Sequence, residues 1–263
     1  MSNQTKGDYS TLACEARKKI LTMISRAGTS HAASNLSVID IATVLYENLK
    51  EEDRVVWSKG WAAASIYYFL AKQGKIPYED LEKFGKEVDG KIPYLGLAET
   101  TVPGVLVNGG SVGHGLPVAV GMAYAKKLKG EEGTIYCIMS DGELNEGTVW
   151  ESVMLAAHLK LDNLVAIIDK NGWQAMGKTD EVIQINAQKT FQGMGWSPLQ
   201  VDGHDYGDLE WAITSEASIK GFPAVIIAKT IKGKGVSFME NHLLYHYKHI
   251  AEEELEKALK ELE

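Results

Sequence analysis

An α/β fold, a parallel sheet with helices on both faces, is predicted by three observations. Helix-like amphipathic stretches alternate with short apolar runs along the chain. The runs at 134–139, 164–169 and 224–228 are apolar almost throughout rather than alternating, which marks strands buried on both sides. Unusual residues then gather directly after two of those runs, where open parallel sheets bind ligands.

In chain order, 9–26 reads as an amphipathic helix and 38–49 as a second. Arg54–Trp57 is a candidate short strand, and 60–73 a third helix, ended near Gly74 and Pro77. From Lys75 to Val107 the chain turns irregularly, with Pro93, Gly96, Pro103 and Gly104, as functional loops often do. A glycine cluster opens a helix over 113–129. A strand over 134–139, a helix over 148–159 and strands over 164–169 and 224–228 follow. A charged helix over 252–263 carries Leu255, Leu259 and Leu262 on one side. No repeat or low-complexity linker divides the chain, so 1–263 is expected to be a single domain.

The balance of 35 acidic against 27 basic residues gives a net charge of −8, which offers nucleic acid or an anionic membrane no electrostatic support. No apolar run is long enough to span a bilayer, and the first eight residues are polar. Cys14 and Cys137 are expected as buried free thiols, and no CxxC or His/Cys cluster suggests zinc. The expectation is a cytoplasmic protein.

The centre of interest is Ser-Asp-Gly-Glu-Leu-Asn-Glu-Gly at 140–147, directly after one buried strand, and Asp-Lys-Asn-Gly at 169–172, directly after the next. Asp141 and Asn171 are 30 residues apart, and one strand–helix–strand unit of about that length sets two strand ends side by side. Oxygen-bearing side chains there suit Mg²⁺, which prefers oxygen ligands and retains a phosphate and water. Gly142 allows close approach of an anion, and the N-terminus of the following helix faces it with free N–H groups. Asp-Gly and Asn-Gly are each common turns; their joint occurrence after two buried strands points to a site.

These residues resemble the thiamine-diphosphate fingerprint, which opens with Gly-Asp-Gly and closes with an asparagine about 30 residues on; Ser140 stands in place of the first glycine. The extended resemblance is to the transketolase family and covers nearly the whole chain. It includes 142–151, the glycine loop at 109–116 and Lys-Thr-Ile-Lys-Gly-Lys-Gly at 229–235. It implies a parallel-sheet thiamine-diphosphate-binding fold and the cofactors thiamine diphosphate and Mg²⁺. By position, Asp141, Asn171 and the Trp173 carbonyl would hold Mg²⁺, and Gly142 and Glu143 would line the diphosphate. Gly110, Ser111 and Val112 would meet the pyrimidine side through their backbone. Lys232, His246 and Trp61 fall at cofactor-contacting positions. His31, with Ser34 and Lys59, would face the substrate, and Glu146 would lie at a subunit interface. His31, His246 and Glu146 are the expected catalytic side chains. His242, His246 and His249 would share one helical face, with no carboxylate to complete a metal site.

The sequence departs from the family in two places. Trp61 follows Ser58-Lys59-Gly60 where the family has histidine. A family histidine before a proline has no counterpart, the nearest candidates being Ile92 and Gly96. Both changes imply a drier pocket, less able to bond a polyol, so a substrate pair other than the common sugar phosphates is expected. The family's chain also continues into pyrimidine-binding and C-terminal domains. A partner subunit carrying those domains and their activating glutamate is therefore expected, in a heterotetramer, with a ketose donor and an aldehyde acceptor as substrates. Two alternatives stay open: another thiamine-dependent carboligase with a 2-keto acid donor, and a non-catalytic scaffold subunit.

Overall fold

The computed structural model describes residues 8–175, 177–214 and 220–263; the polar residues 1–7 lie outside them. Helices α1 (Tyr9–Ala27) and α2 (Ala32–Asn48) lead into strand β1 (Arg54–Trp57). Helix α3 (Ala63–Lys72), an irregular segment and α4 (Gly115–Lys129) precede β2 (Ile135–Ser140). Helix α5 (Gly147–His158) connects β2 to β3 (Leu164–Lys170). A short hairpin, β4 (Trp173–Gln174) and β5 (Gly177–Lys178), and helices α6 (Thr179–Val182) and α7 (Ala187–Gly193) lead to β6 (Ser197–Asp202). Helix α8 (Tyr206–Thr214), β7 (Ala224–Lys229) and α9 (Glu252–Glu261) complete the order.

The five long strands form one parallel sheet in the order β1-β2-β3-β7-β6. The period of two along each strand divides its side chains between two cores. Tyr136, Ile138, Val165, Ile167 and Ile226 pack under α1, α2, α3 and α8. Ile135, Cys137, Met139, Ala166, Ile168 and Ile227 pack against α4, α5 and α7. This double burial is why these strands are apolar at nearly every position.

The expected helices and strands are present with ends shifted by a few residues, save at α2. That helix begins six residues before the expected start, because its first turns bury polar side chains: Ser34, Asn35 and Ser37 are all inside. Asn35 Oδ1 accepts from the Ser65 N–H and hydroxyl, both at 2.9 Å, which fastens α2 to α3. The edge strand β6, the helices α7 and α8 and the β4–β5 hairpin were not expected. Cys137 is buried and Cys14 half-buried, and both are free. Among the described residues no helix is long and apolar enough to cross a membrane.

Candidate active site at the strand ends

Adjacent strands leave their last residues in register, Ser140 beside Asp169 and Lys170 beside Lys229. Asp141 follows β2 and is buried. Its Oδ2 accepts from the Gly172 N–H at 2.6 Å, whereas its Oδ1 is buried with no hydrogen-bond partner among the described residues. Burial, reinforced by the nearby Asp169 charge, pushes the Asp141 carboxyl up to about 7. Asp169 is treated oppositely. Burial would raise it, but the Lys59 ammonium and the Ser37 and Thr230 hydroxyls all donate to it and hold it below the usual range.

Glu143 is fully buried, and its carboxylate ties three segments together. Oε1 accepts from the Ser140 N–H at 2.7 Å, and Oε2 accepts from the Ser58 hydroxyl at 2.5 Å and the Gly113 N–H at 2.9 Å. The side chain thus joins β1, the glycine loop and β2, and leaves only its backbone for a ligand. Burial raises it to about 7 against the pull of those donors. The glycines of this region are demanded by contact: a Cβ on Gly60 would lie 2.3 Å from Gly109 Cα, and one on Gly142 would lie 2.9 Å from Gln174 Cβ.

Beside these groups opens a cavity of about 580 Å³. Its aromatic wall is continuous. The Trp61 indole stacks on His31 at 4.6 Å between ring centroids, and His246 meets His31 edge-on at 4.8 Å. Tyr247 lies against His246 at 4.6 Å. Trp61 Nε1–H donates to the Gly110 carbonyl at 3.1 Å, which fixes the plane of the ring. Burial, with help from the Lys232 charge, lowers His31 to about 4 and His246 to about 3, so both imidazoles are neutral near pH 7. Lys232 Nζ donates to His246 Nδ1 at 2.7 Å, which leaves the His246 proton on Nε2. Burial and the Lys59 charge lower Lys232 itself to about 8, so most of it stays cationic at pH 7.

The cavity brings together His31, Ser34, Lys59, Trp61, Val112, Gly142, Glu143, Glu146, Asn171, Trp173, Lys232 and His246. Gly110, Ser111 and Asp141 do not line it; Asp141 borders an adjoining cavity with Asn145, Lys170, Gly172 and Trp173. Lys59 lines the cavity, and its ammonium donates to the Ser34 carbonyl at 2.7 Å, to Ser37 Oγ at 3.1 Å and to Asp169. Glu146 is exposed at the rim. The three-histidine face does not form, because Leu243–His246 is a 3-10 turn followed by irregular chain, and His242 Nδ1 accepts from the Leu244 N–H. Ile92 is exposed, and Gly96 faces Thr29. The residue set against Gly109 and Gly110 is instead Leu97, whose methyls come within 2.9 and 3.4 Å of where Cβ atoms there would stand. Leu97 and Tyr247 were missed, because a leucine in an irregular loop and a tyrosine after a histidine carry no signal. Asp169 stands in the motif at 169–172, which assigned it no role of its own.

Among the described residues no group of three His, Cys, Asp or Glu side chains could hold a metal. The donors present, one orphaned carboxylate oxygen with an asparagine at the next strand end, fit a hard cation that shares its coordination with a ligand phosphate. Fold and site define a cofactor-binding α/β domain with its ligand at the carboxyl ends of parallel strands. Residues 10–262 match the family model described as transketolase, thiamine diphosphate binding domain. The chain belongs to this family. It is 36% identical to an apulose-4-phosphate transketolase subunit of Actinobacillus succinogenes, covering 94% of this chain and 92% of that one. It is 33% identical to the 6-deoxy-6-sulfo-D-fructose transketolase subunit SqwG of Clostridium sp., covering 94% and 93%. The crystal structure of transketolase from Campylobacter jejuni superposes with a TM-score of 0.88 at 31% identity, over 97% of this chain and 42% of that one. The chain thus spans about two-fifths of the transketolase it matches. Two expectations are borne out: a parallel α/β fold, and a subunit of a transketolase-type transferase.

Proposed function

We propose that this chain is the cofactor-holding subunit of a two-chain transketolase, transferring a two-carbon ketol unit from a ketose to an aldehyde with thiamine diphosphate and Mg²⁺. The observation that carries this reading is the orphaned Oδ1 of Asp141, a buried carboxylate oxygen near Asn171 that calls for a cation. Asp141, Asn171 and the Trp173 carbonyl would hold Mg²⁺. The backbone of Gly142 and Glu143 would meet the diphosphate, and that of Gly110, Ser111 and Val112 the pyrimidine side. When bound, thiamine diphosphate supplies the electron sink for cleaving a carbon–carbon bond beside a carbonyl.

This chain's residues provide the rest. Lys232 would set a cation beside the anionic end of the cofactor; through His246 Nδ1 it fixes the tautomer that would present Nε2–H to a substrate oxygen. His31, neutral and 2.6 Å from Ser30 Oγ through Nδ1, retains Nε2 for proton transfer. The wall of Trp61, Val112 and Tyr247 offers few partners to a polyol. That supports a substrate other than the common pentose phosphates, in keeping with relatives named for apulose-4-phosphate and 6-deoxy-6-sulfo-D-fructose.

The pyrimidine-binding and C-terminal domains would belong to the partner, in a heterotetramer with Glu146 near the interface. Support comes from a match confined to 42% of a full transketolase but covering over nine-tenths of relatives named as subunits. Two free thiols fit a reducing, cytoplasmic setting. The test is ketol transfer by this chain alone and mixed with a transketolase subunit carrying the missing domains. Turnover in the mixture alone supports the reading. Equal turnover by the isolated chain contradicts the shared site, and cofactor binding without turnover on any ketose or 2-keto acid would favour a scaffold.

A further inference from the structure

Lys232 is 1% exposed, yet its ammonium reaches His246 on the cavity wall. A long side chain keeps such a pose only where its backbone is fixed. The turn that carries it, 231–234, is gripped at both ends by side chains from other elements. At its start the Ile231 N–H donates to His204 Nε2 at 2.8 Å. At its end the Lys234 carbonyl accepts from Arg17 Nε at 3.1 Å. Both arms meet at one carboxylate. Asp40 accepts from Arg17 through two bonds of 3.0 and 2.6 Å, from the Tyr206 hydroxyl at 2.9 Å and from His204 Nδ1 at 2.7 Å.

The tautomer follows from the partners. An amide N–H only donates, so His204 Nε2 is bare and the ring proton lies on Nδ1, toward Asp40. Neither His204, Arg17 nor Asp40 lines the cavity around Lys232, so contact with a ligand there does not explain the network. Asp40 belongs to α2, whose first residues follow His31. One buried helix therefore sets both the His31 ring and, through Asp40, the Lys232 turn.

We propose that His204, oriented by Asp40, is a positioning residue for Lys232: its Nε2 and the Arg17 guanidinium clamp the two ends of the 231–234 turn and aim the Lys232 ammonium at the anionic part of the cofactor. The inference rests on the cofactor-contacting role proposed above for Lys232.

Two isosteric variants separate the arms of the ring. Asparagine places its amide where Nδ1 lies, so His204→Asn keeps a donor for Asp40 and loses the acceptor for Ile231. Glutamine reaches the place of Nε2, so His204→Gln restores that acceptor. Amide hydrogen exchange of 231–235 and the affinity for Mg²⁺ and thiamine diphosphate would be measured on the full chain with its partner subunit. His204→Asn is expected to speed exchange in this turn and to weaken cofactor binding, each by roughly tenfold or more, as loss of an outer-shell partner does. Amides of β2 and β3 should be unchanged, and His204→Gln should recover most of both effects. Unchanged turn and affinity in His204→Asn, equal loss of protection across the whole sheet, or no recovery in His204→Gln would overturn the clamp. If the unaltered protein bound no thiamine diphosphate, the functional reading would fail, and the exchange arm would still decide whether His204 holds the turn.

Discussion

Asp141 and Asp169 end neighbouring strands, and their surroundings drive the two carboxyls in opposite directions. Asp169 is held ionised by Lys59, Ser37 and Thr230. Asp141 has one N–H donor on Oδ2, a bare Oδ1 and a value pushed up to about 7. Environments that separate the pKa values of two like groups assign them different tasks. Asp169 is a structural anion that anchors Lys59, and Asp141 keeps an oxygen without a partner among the described residues.

The sign of the pH effect follows. A cation competes with the proton on Asp141, whose raised value means the free carboxyl is increasingly protonated below pH 7. Affinity for Mg²⁺ with thiamine diphosphate should be greatest between about pH 7 and 8, fall toward about tenfold per pH unit below pH 6, and decline again above pH 8 as Lys232 loses its charge. Calorimetric titrations from pH 5.5 to 8.5 would register this, with proton release growing toward the acid side. An affinity independent of pH across that range would mean that Asp141 is not the ligand.

The Glu143 side chain is a strap between three segments. Glu143→Ala would strand the Ser58 hydroxyl and the Gly113 and Ser140 N–H groups in the interior. At roughly 1–3 kcal/mol for each unsatisfied buried group, about 3 kcal/mol or more of stability should be lost. Glu143→Gln keeps the shape and one good acceptor and should lose less. Urea unfolding of both variants without cofactor checks this ordering; equal midpoints for Glu143→Ala and the parent would contradict it.

Lys232 contributes to the depressed values of His31 and His246, after burial in each case. Lys232→Met, which keeps the apolar stem and removes the charge, should raise both imidazoles toward their ordinary value of about 6.5 without reaching it. Imidazole proton resonances followed against pH report this directly. An unmoved His246 would show that the ammonium is not at Nδ1 in solution.

Trp61→His replaces the apolar wall with a ring that can bond hydroxyls. In the two-chain enzyme it should raise kcat/KM for common pentose phosphates relative to the preferred pair by about tenfold, the scale of one net hydrogen bond. Competition between the two donors measures the ratio. A ratio left unchanged would remove Trp61 from the account of specificity.

How much of this was legible in the sequence depended on whether a residue's surroundings were local. The central strands could be read because burial on both faces leaves them apolar, and Asp141 and Asn171 because each follows such a strand. The start of α2 could not, because Asn35 and Ser37 are polar for the sake of partners 30 and 132 residues away. The edge strand β6 has a proline and only Val201 buried, so nothing marks it as a strand. The ion pair of Lys59 with Asp169 could not be read either, since the two residues stand 110 positions apart along the chain. The site's geometry lies in such long-range bonds.

The most direct measurement is calorimetric titration of thiamine diphosphate into this chain with Mg²⁺, beside the Asp141→Asn variant. Asparagine preserves the volume and the bond to the Gly172 N–H while removing the charge that a cation needs. The account predicts Mg²⁺-dependent binding by the parent chain, and an affinity at least about a hundredfold weaker in a variant that unfolds at an equal or higher temperature. Equal binding by the two, or binding indifferent to Mg²⁺, would contradict it.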